Sequence, residues 1–428
     1  MSKEQRFAQY AATGTFHGTY DASNRPSFEL AHALAGDVSP ELVAKTAVWC
    51  RESARMTDMP AFLVAHLASR DTEVMSRVFA RVIDDGRMLR SFVQIVRSGV
   101  TGRKSFGSAP KRALRSWFAD RSPEVIFRQS IGQSPSMSDV IKMVRPPPRN
   151  DKGEADAVRE ALYGYLIGKS VNVENLPKLA RDFDAWKHGE GPLPDVPFEM
   201  LTCLPLRAEH WKELAKKMPL HELRLKLETL LHYGVFADPE IVESVATRIQ
   251  DRDAIRRTNA KPLPLLAALH NVSAAMPADI VRALARAVDY AIGNVPEISG
   301  TVAVCTDASG SMQSPFAGQL RCAHIADLVS TIVRRKSERT TNLDTADTVV
   351  VVSDHQSSDI ARGLDVPHAH TKIVCIDLRP RAAELPEHDG LLQVGGFSDS
   401  VFDVVAAFTR GELTGADWLS RMDAVDLN

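Results

Sequence analysis

The chain has 428 residues and a formal net charge of −2, and 44% of its residues are hydrophobic and 25% are charged. This length allows two or three domains with full-sized cores, and the composition is ordinary for a globular protein. The charge balance excludes a uniformly basic nucleic-acid-binding chain, so any basic surface must be local.

No apolar run reaches transmembrane length, and Met1 is not followed by a signal-peptide pattern. The five cysteines are scattered and odd in number, which favours free thiols over a disulfide framework or a zinc site. These features predict a cytoplasmic protein without membrane attachment.

Helical patterns fill the chain from about residue 25 to about residue 295, after a polar stretch that predicts an irregular N-terminal arm. One helix-start signal recurs, an N-cap acceptor followed by proline and glutamate, at Ser39-Pro40, Ser122-Pro123 and Asp238-Pro239. Roughly a dozen short helices in this span predict antiparallel pairs stacked as in a HEAT solenoid. An irregular all-α domain is the alternative.

Positive charge is concentrated between residues 97 and 149, where eleven lysines and arginines stand against three acids and leave a local charge of +8. Such a segment is typical of a surface that binds a phosphate backbone, whereas a solvated helix face is the alternative. We predict that eight of these cations contact phosphates: Arg103, Lys104, Lys111, Arg112, Arg115, Arg121, Arg128 and Lys142.

At about residue 295 the pattern changes from helices alone to alternating strands and helices, which predicts a first domain over 1–295 and a second over 296–428. The second domain opens with the apolar run 301–306, and further strand-like runs occupy 347–354, 371–378 and 391–396. Runs of valine and isoleucine with helices between some of them predict a parallel sheet.

Polar side chains follow the first two of these strands. Asp307, Ser309 and Ser311 come after the first strand and Asp354 after the second, and ligands of doubly wound sheets lie beyond such strand ends. Carboxylate and hydroxyl oxygens suit a hard divalent cation such as Mg²⁺, whereas a plain turn is the alternative interpretation. The pattern resembles the Rossmann-like von Willebrand factor A domain and its metal-ion-dependent adhesion site (MIDAS).

The whole chain resembles the TROVE-domain Ro family, in which a von Willebrand A domain closes a ring of HEAT-like helices. The matching motifs occur in the family's order at 59–68, 111–118, 218–231, 263–271, 306–312 and 395–403. The resemblance implies a multidomain α plus α/β fold and a monomeric ring. It also implies binding of small noncoding RNAs (Y RNAs) and of misfolded or structured RNAs with single-stranded 3′ ends, in RNA quality control or processing, with an exoribonuclease among the implied partners.

Two parts of the chain depart from the family pattern. The segment 128–139 corresponds to one that helps to hold Y RNA, but it is less basic and has Met137 in place of the family's histidine, which predicts weaker Y RNA binding. Ser136 and Asp139 in the same segment still predict a helix capping pair.

The second departure is a shortened A domain. Two strands and a loop with a metal-binding threonine are missing between the helix 320–335 and the strand that ends at Asp354. The sequence therefore predicts a shortened parallel sheet with an exposed edge on its first strand. It also predicts weakened metal binding, with Thr340 or Thr341 as the replacement ligand; Thr341 is the preferred one, because Thr341-Asn342 resembles the end of the family loop.

No catalytic motif is present, since the P-loop, the G-x-S-x-G elbow and H-E-x-x-H are all missing. His355 is the only sequence-adjacent base for a serine nucleophile, and His368 and His370 lack further metal ligands. We therefore predict a non-enzymatic RNA-binding ring scaffold. The alternative is a metal-dependent protein-interaction adaptor that acts through the A domain.

Overall fold

The structure is a computed structural model that describes residues 2–13, 25–132, 134–149, 153–354, 360, 371–379, 390–399, 401–412 and 415–427. The helices that precede the sheet are α1 (Lys3–Thr13), α2 (Arg25–Gly36), α3 (Pro40–Glu52), α4 (Asp58–Arg70), α5 (Thr72–Val82), α6 (Gly86–Ser98), α7 (Ser108–Ala119), α8 (Pro123–Arg128), α9 (Met137–Val144), α10 (Ala157–Leu166), α11 (Lys178–Lys187), α12 (Phe198–Thr202), α13 (Ala208–Lys217), α14 (Leu220–His232), α15 (Pro239–Ile249), α16 (Arg252–Arg257), α17 (Pro262–Asn271) and α18 (Ala278–Ile292).

Strands and further helices make up the rest. They are β1 (Ile298–Thr306), β2 (Pro315–Ala317), β3 (Leu320–Arg321), α19 (Cys322–Lys336), β4 (Ser337–Thr340), β5 (Thr348–Ser353), β6 (Lys372–Asp377), β7 (Leu391–Gly395), α20 (Val401–Thr409) and α21 (Gly415–Asp423).

The chain forms two compact units. One consists mainly of Pro205–Asp417, and the other is built from Ser2–Ala12, Phe16–Leu204 and Trp418–Asn428. All the named strands lie in the first unit, where the backbone N–H at the start of α17 donates to the Asp399 carboxylate after β7 at 3.1 Å. Helices therefore pack with the sheet in one unit, and the domain boundary at residue 295 stays a prediction.

The three predicted helix starts are confirmed. The side chains of Ser39, Ser122 and Asp238 accept hydrogen bonds of 3.1–3.3 Å from backbone N–H groups two or three residues further on. Ser136 and Asp139 form the predicted capping box, with reciprocal bonds of 3.1 and 2.9 Å at the start of α9. Each such cap stabilises a helix by about 1 kcal/mol, because it satisfies an otherwise unpaired N–H group.

The prediction of an irregular N-terminal arm is wrong for residues 3–13, which form α1. All residues from 7 to 12 of this helix are buried. Three of these six residues are alanines and one is a glutamine, so the hydrophobic signal in the sequence is weak. Residues 14–24 lie outside the described ranges.

The predicted parallel sheet is confirmed, with one strand more than expected. Its order is β4-β1-β5-β6-β7. The prediction of an exposed edge on β1 is wrong for its first half, because α19 runs directly into β4, which pairs there with Ile298 and Val302. Among the described residues, 303–306 pair only with β5. Every residue of β5 is buried, as expected for a central strand covered on both faces.

Candidate functional site

Four of the predicted metal ligands form one hydrogen-bonded cluster beyond the carboxyl ends of β1 and β5. Asp307 Oδ1 accepts from the backbone N–H of Ser309 at 2.7 Å, and the hydroxyls of Ser309 and Ser311 are 2.8 Å apart. Ser311 Oγ is 3.0 Å from Asp354 Oδ1 and donates to it. Two carboxylates and two hydroxyls from distant parts of the sequence thus meet at one edge of the sheet.

Strand pairing accounts for this meeting. The backbone N–H of Asp307 donates to the carbonyl of Val352 at 2.9 Å, which continues the β1–β5 ladder by one residue. Ser353 is fully buried, and its hydroxyl donates to Asp307 Oδ2 at 2.9 Å. The 3-10 turn Gly310–Gln313 begins at once and holds Ser311 within reach of the second strand. The cluster is therefore fixed by backbone pairing and by a buried hydroxyl.

The donor set of the cluster fits a hard divalent cation. Asp354 is only 5% exposed, and a buried carboxylate needs hydrogen bonds or a nearby positive charge. Carboxylate, hydroxyl and water oxygens are the ligands that Mg²⁺ prefers. No group of three or more His, Cys, Asp or Glu side chains suited to a metal occurs in the described ranges, so the serine hydroxyls are needed to complete a site here.

A cysteine lies beside the cluster at the start of α19. Burial raises the pKa of the Cys322 thiol, and the negative charge of Asp354 raises it further. The thiol is therefore neutral at neutral pH, and the oxygen atoms carry the negative charge of the site.

Thr341 is not part of the cluster. Its backbone N–H donates to the carbonyl of Val302 at 3.2 Å, and its hydroxyl contacts that of Thr345. Val302 precedes Asp307 by five residues of extended chain, which corresponds to roughly 16 Å along the strand. The parallel register of β4 keeps Thr341 beside the first half of β1, and the geometry gives no support to its assignment as a ligand.

Half of the eight predicted phosphate-contacting residues bond to other parts of the chain. Arg103 Nη1 donates to the carbonyl of Ala68 at 2.8 Å, and Arg115 Nε donates to that of Val144 at 2.9 Å. These two side chains hold neighbouring segments together, so at least part of their donor capacity is used within the protein.

Arg121 and Arg128 behave similarly. Arg121 donates to the carbonyls of Trp117 and Asp84 at 2.9 and 2.7 Å and lies 4.1 Å from the centre of the Trp117 ring. Burial lowers the pKa of its guanidinium. Arg128 forms an ion pair of 2.6 Å with Asp195. Arg121 is therefore a packing residue, and Arg128 is partly neutralised.

The other four, Lys104, Lys111, Arg112 and Lys142, make no hydrogen bond or ion pair within the described part of the chain. Lys111 is half-buried and the other three are exposed. Lys111 and Arg112 lie on α7, whose buried face is formed by Pro110, Leu114, Trp117 and Phe118. Lys104, Lys111 and Arg112, which we call the α7 basic surface, are available to an external anion.

Met137, at which the sequence departs from the family that it resembles, is 1% exposed. It is the first residue of α9 and packs into the core beneath the capping box. This position supports the helix and offers no contact to an external ligand.

The sequence did not single out Arg145 and Lys169 as site residues. Together with Lys142 they line a cleft of about 710 Å³ between the end of α9 and the loop after α10. Arg145 belongs to the basic segment, but Lys169 lies 20 residues beyond it. Only the packing of α9 against α10 reveals that the three cations share a cleft.

Three histidines considered in the sequence, His355, His368 and His370, lie outside the described residues. Within the described ranges, no helix is long and apolar enough to cross a membrane.

No protein-family model matches the sequence, and no curated protein matches it. In three dimensions the chain is similar to the crystal structure of the Deinococcus radiodurans Ro (RSR) protein, with a TM-score of 0.65 and 18% sequence identity over 96% of this chain and 100% of that chain. An identity this low establishes the fold alone. The predicted α plus α/β fold class is thereby confirmed, and the chain shares its fold with a Ro protein.

Proposed function

We propose that the protein is a non-enzymatic RNA-binding scaffold of the Ro type. The observation that carries the proposal is the α7 basic surface, with cations that are not consumed by internal contacts, on a chain whose fold matches the Ro (RSR) protein along 96% of its length. Lysine and arginine side chains of this kind bind the phosphate backbone by releasing condensed counterions. The proposed ligands are structured or misfolded RNAs with single-stranded 3′ ends.

The proposal extends to finer features of the Ro type. Y-like RNA is a ligand class that Met137 disfavours, because this side chain is buried and offers no polar group where the family that the chain resembles carries a histidine. An exoribonuclease is the proposed protein partner, and the protein is proposed to act as a cytoplasmic monomer.

RNA binding is expected to depend steeply on salt and on the α7 basic surface. Replacing Lys104, Lys111 and Arg112 by alanine should weaken binding of a tailed RNA hairpin at least about tenfold and reduce the slope of log K against log salt by about 2 to 3. Gel shifts across a salt series measure both quantities. A blunt hairpin tests whether the single-stranded tail is required.

The matched control removes three exposed lysine or arginine side chains elsewhere, with Lys212, Lys216 and Arg257 replaced by alanine. This variant loses the same charge but should keep the wild-type slope. Equal losses of RNA affinity in the two variants would mean that binding depends on the net charge of the protein and not on the α7 basic surface. A folded wild-type protein that fails to retain RNA at low salt would refute the proposed function.

We also propose a divalent-cation site, probed first with Mg²⁺, at Asp307, Ser309, Ser311 and Asp354. The supporting observation is that four oxygen-bearing side chains, one of them the buried carboxylate of Asp354, meet at one edge of the sheet. With these ligands a hard cation would retain waters or take an oxygen from a partner. This cluster also supports the second candidate function, a protein-interaction adaptor that captures a partner's carboxylate through the metal.

Mg²⁺ or Mn²⁺ is expected to raise the melting temperature of the wild-type protein, because a ligand that binds only the folded state stabilises it. Asp307→Asn should abolish this shift and weaken Mn²⁺ binding at least about tenfold, since it removes a charged ligand. Thr341→Ala is the matched control and should bind as wild type. If only the Thr341 variant lost Mn²⁺ binding, Thr341 would be a metal ligand in spite of its distance from the cluster.

A further inference from the structure

The cleft between α9 and the loop after α10 has a volume of about 710 Å³, within the range of sites for small organic ligands. The small residues Ala157, Ala161 and Gly164 of α10 line it, and we call them its floor. The proline segment after α9 and the loop after α10 also contribute lining residues, and we call these two segments its walls.

The cleft is positively charged. Lys142, Arg145 and Lys169 line it and are all exposed, whereas Glu160 is the single acidic residue among the described lining residues. None of the three cations has an ion-pair partner within the described ranges. An anionic group such as a phosphate would therefore be attracted to this end of the protein and would find several unused donors.

The loop after α10 contributes two side-chain amides to the lining, those of Asn172 and Asn175. Asn172 Oδ1 accepts from the backbone N–H of Glu174 at 3.0 Å, which fixes the amide and leaves its NH₂ group for other acceptors. The Asn175 amide makes no hydrogen bond within the described chain. Asparagine amides, which also bond to phosphate oxygens, can pair with the donor and acceptor edges of nucleobases.

The cleft also contains flat apolar surface. Pro146 is buried and Pro148 half-buried on one wall, and Ile167 and Val171 contribute aliphatic groups on the other side. A site with apolar walls and a few convergent polar groups is typical of recognition of a small ring-containing molecule. Cations alone would suffice for a backbone contact, so the apolar walls and amides indicate that a base enters as well.

The shape of the cleft is held rigidly. Arg145 has φ of 50° and ends α9 in a left-handed conformation, with its N–H bonded to the carbonyl of Ile141 at 2.8 Å. The prolines that follow have restricted backbones. A Cβ added to Gly164 would lie 2.6 Å from Val171 Cγ1, so the opposite wall packs directly against α10. A preformed site of this kind loses little conformational entropy on binding.

We propose that this cleft binds one unpaired nucleotide of the bound RNA, with its base between the prolines and the asparagine amides and its phosphate among the three cations. The inference rests on the proposed function. The cleft adjoins the helix that carries the basic surface, because Arg115 of α7 donates to the carbonyl of Val144 at the end of α9, two residues after Lys142. Sequence-specific contacts to RNA are usually made with unstacked bases of single strands, which is the form that such a cleft admits.

An abasic scan tests the proposal. Single abasic nucleotides are placed in turn along the 3′ tail of the hairpin, and affinities are measured for wild type and for two cleft variants. Asn175→Ala with Lys169→Ala removes polar groups without internal partners, and Ala157→Trp fills the floor without changing charge. Lys187→Ala, an exposed lysine on α11, controls for the loss of one charge.

In wild type, one or two abasic positions should weaken binding about tenfold, as expected for the loss of one bound base. Both cleft variants should bind intact RNA about tenfold more weakly than wild type does. Their affinity should not fall further when an abasic nucleotide is introduced. Lys187→Ala should show the same dependence of affinity on abasic position as wild type. A flat scan in wild type, or a scan that is unchanged in both cleft variants, overturns the cleft proposal and leaves the RNA-binding function standing. Absence of binding to intact RNA overturns both.

Free nucleotides share the chemistry of the proposed occupant, so calorimetric titrations with AMP, GMP, CMP and UMP form a second arm. Binding no tighter than the millimolar range, together with a position-dependent scan, supports a nucleotide that is delivered by the RNA chain. Micromolar binding of a free nucleotide with a flat scan would assign the cleft to a metabolite and refute the proposal.

Discussion

Replacing Arg159 by methionine is expected to destabilise the unit that contains α7 and α10 by about 3 to 5 kcal/mol, the cost of removing one partner from a buried charged network. Arg159 is only 5% exposed. Its guanidinium donates to the carbonyls of Phe118, Ala119 and Arg121 at 2.7, 3.1 and 2.8 Å. Nε also lies 3.2 Å from Asp156 Oδ2. One side chain thus satisfies the orphan carbonyls at the end of α7 and pairs with the N-cap of α10.

Methionine fills a similar volume but donates nothing, so the variant isolates the polar contacts from packing. The carbonyls at the end of α7 would be left unpaired in a site that water does not reach freely, and Asp156 would lose its positive partner. Denaturant unfolding followed by circular dichroism should show a lower midpoint with an unchanged slope.

The same substitution at Arg181 provides a control. Arg181 is exposed and donates to a single carbonyl, that of Glu174, at 2.9 Å. Its replacement by methionine should cost less than about 1 kcal/mol, because water can satisfy the released carbonyl. Similar losses of unfolding free energy in the two variants would show that the buried hydrogen bonds of Arg159 contribute no more to stability than the exposed hydrogen bond of Arg181.

Local signals in the sequence predicted the features that depend on neighbouring residues. The caps at Ser39, Ser122 and Asp238 need only a short polar side chain before a proline, and the structure contains all three hydrogen bonds. The meeting of Asp307 with Asp354 needed one further rule, namely that the carboxyl ends of parallel strands share an edge. Caps and strand ends are determined by a few neighbouring residues, so they can be predicted from a single sequence.

Features that depend on long-range packing were not predictable in this way. Arg103 and Arg121 look like surface cations in the sequence, yet their partners are the carbonyls of Ala68 and Asp84, which lie 35 and 37 residues away. A carbonyl partner is invisible in a sequence, because every residue type carries one. The separation of Thr341 from the cluster has a related cause. The position of an added edge strand is set by its register with β1, and the local pattern does not encode that register.

Acidification is expected to destabilise the unit that contains α2 and α4 through His66. This side chain is 3% exposed, and its Nδ1 lies 3.1 Å from Nδ1 of His32. Burial, followed by the electrostatic effects of His32 and Arg70 in the same direction, lowers the pKa of His66 from 6.5 to about 4. The buried Nε2 has no hydrogen-bond partner among the described residues, so nothing there stabilises a proton.

The sign of the effect follows from proton linkage. The pKa of His66 is lower in the folded protein than in the unfolded chain, so the unfolded chain binds the proton first as the pH falls. The contribution of neutral His66 is fully present above pH 6.5 and is lost progressively between pH 6.5 and about 4. A shift of this size corresponds to about 3 kcal/mol, a large part of the 5–15 kcal/mol typical of a folded domain.

His66→Phe should remove this pH dependence, because the site already contains the rings of Phe28 and Phe62 and phenylalanine carries no titratable group. Unfolding free energies measured from pH 7 to pH 4 should fall about 3 kcal/mol further for wild type than for the variant. His188→Phe is the control, because it removes an exposed imidazole and leaves His66 in place, so the fall in stability that depends on His66 should be retained. Parallel curves for wild type and His66→Phe would show that the protonated His66 ring is stabilised in the folded protein by a hydrogen-bond acceptor. Protonation of His66 between α2 and α4 would then not be the cause of the loss of stability at low pH.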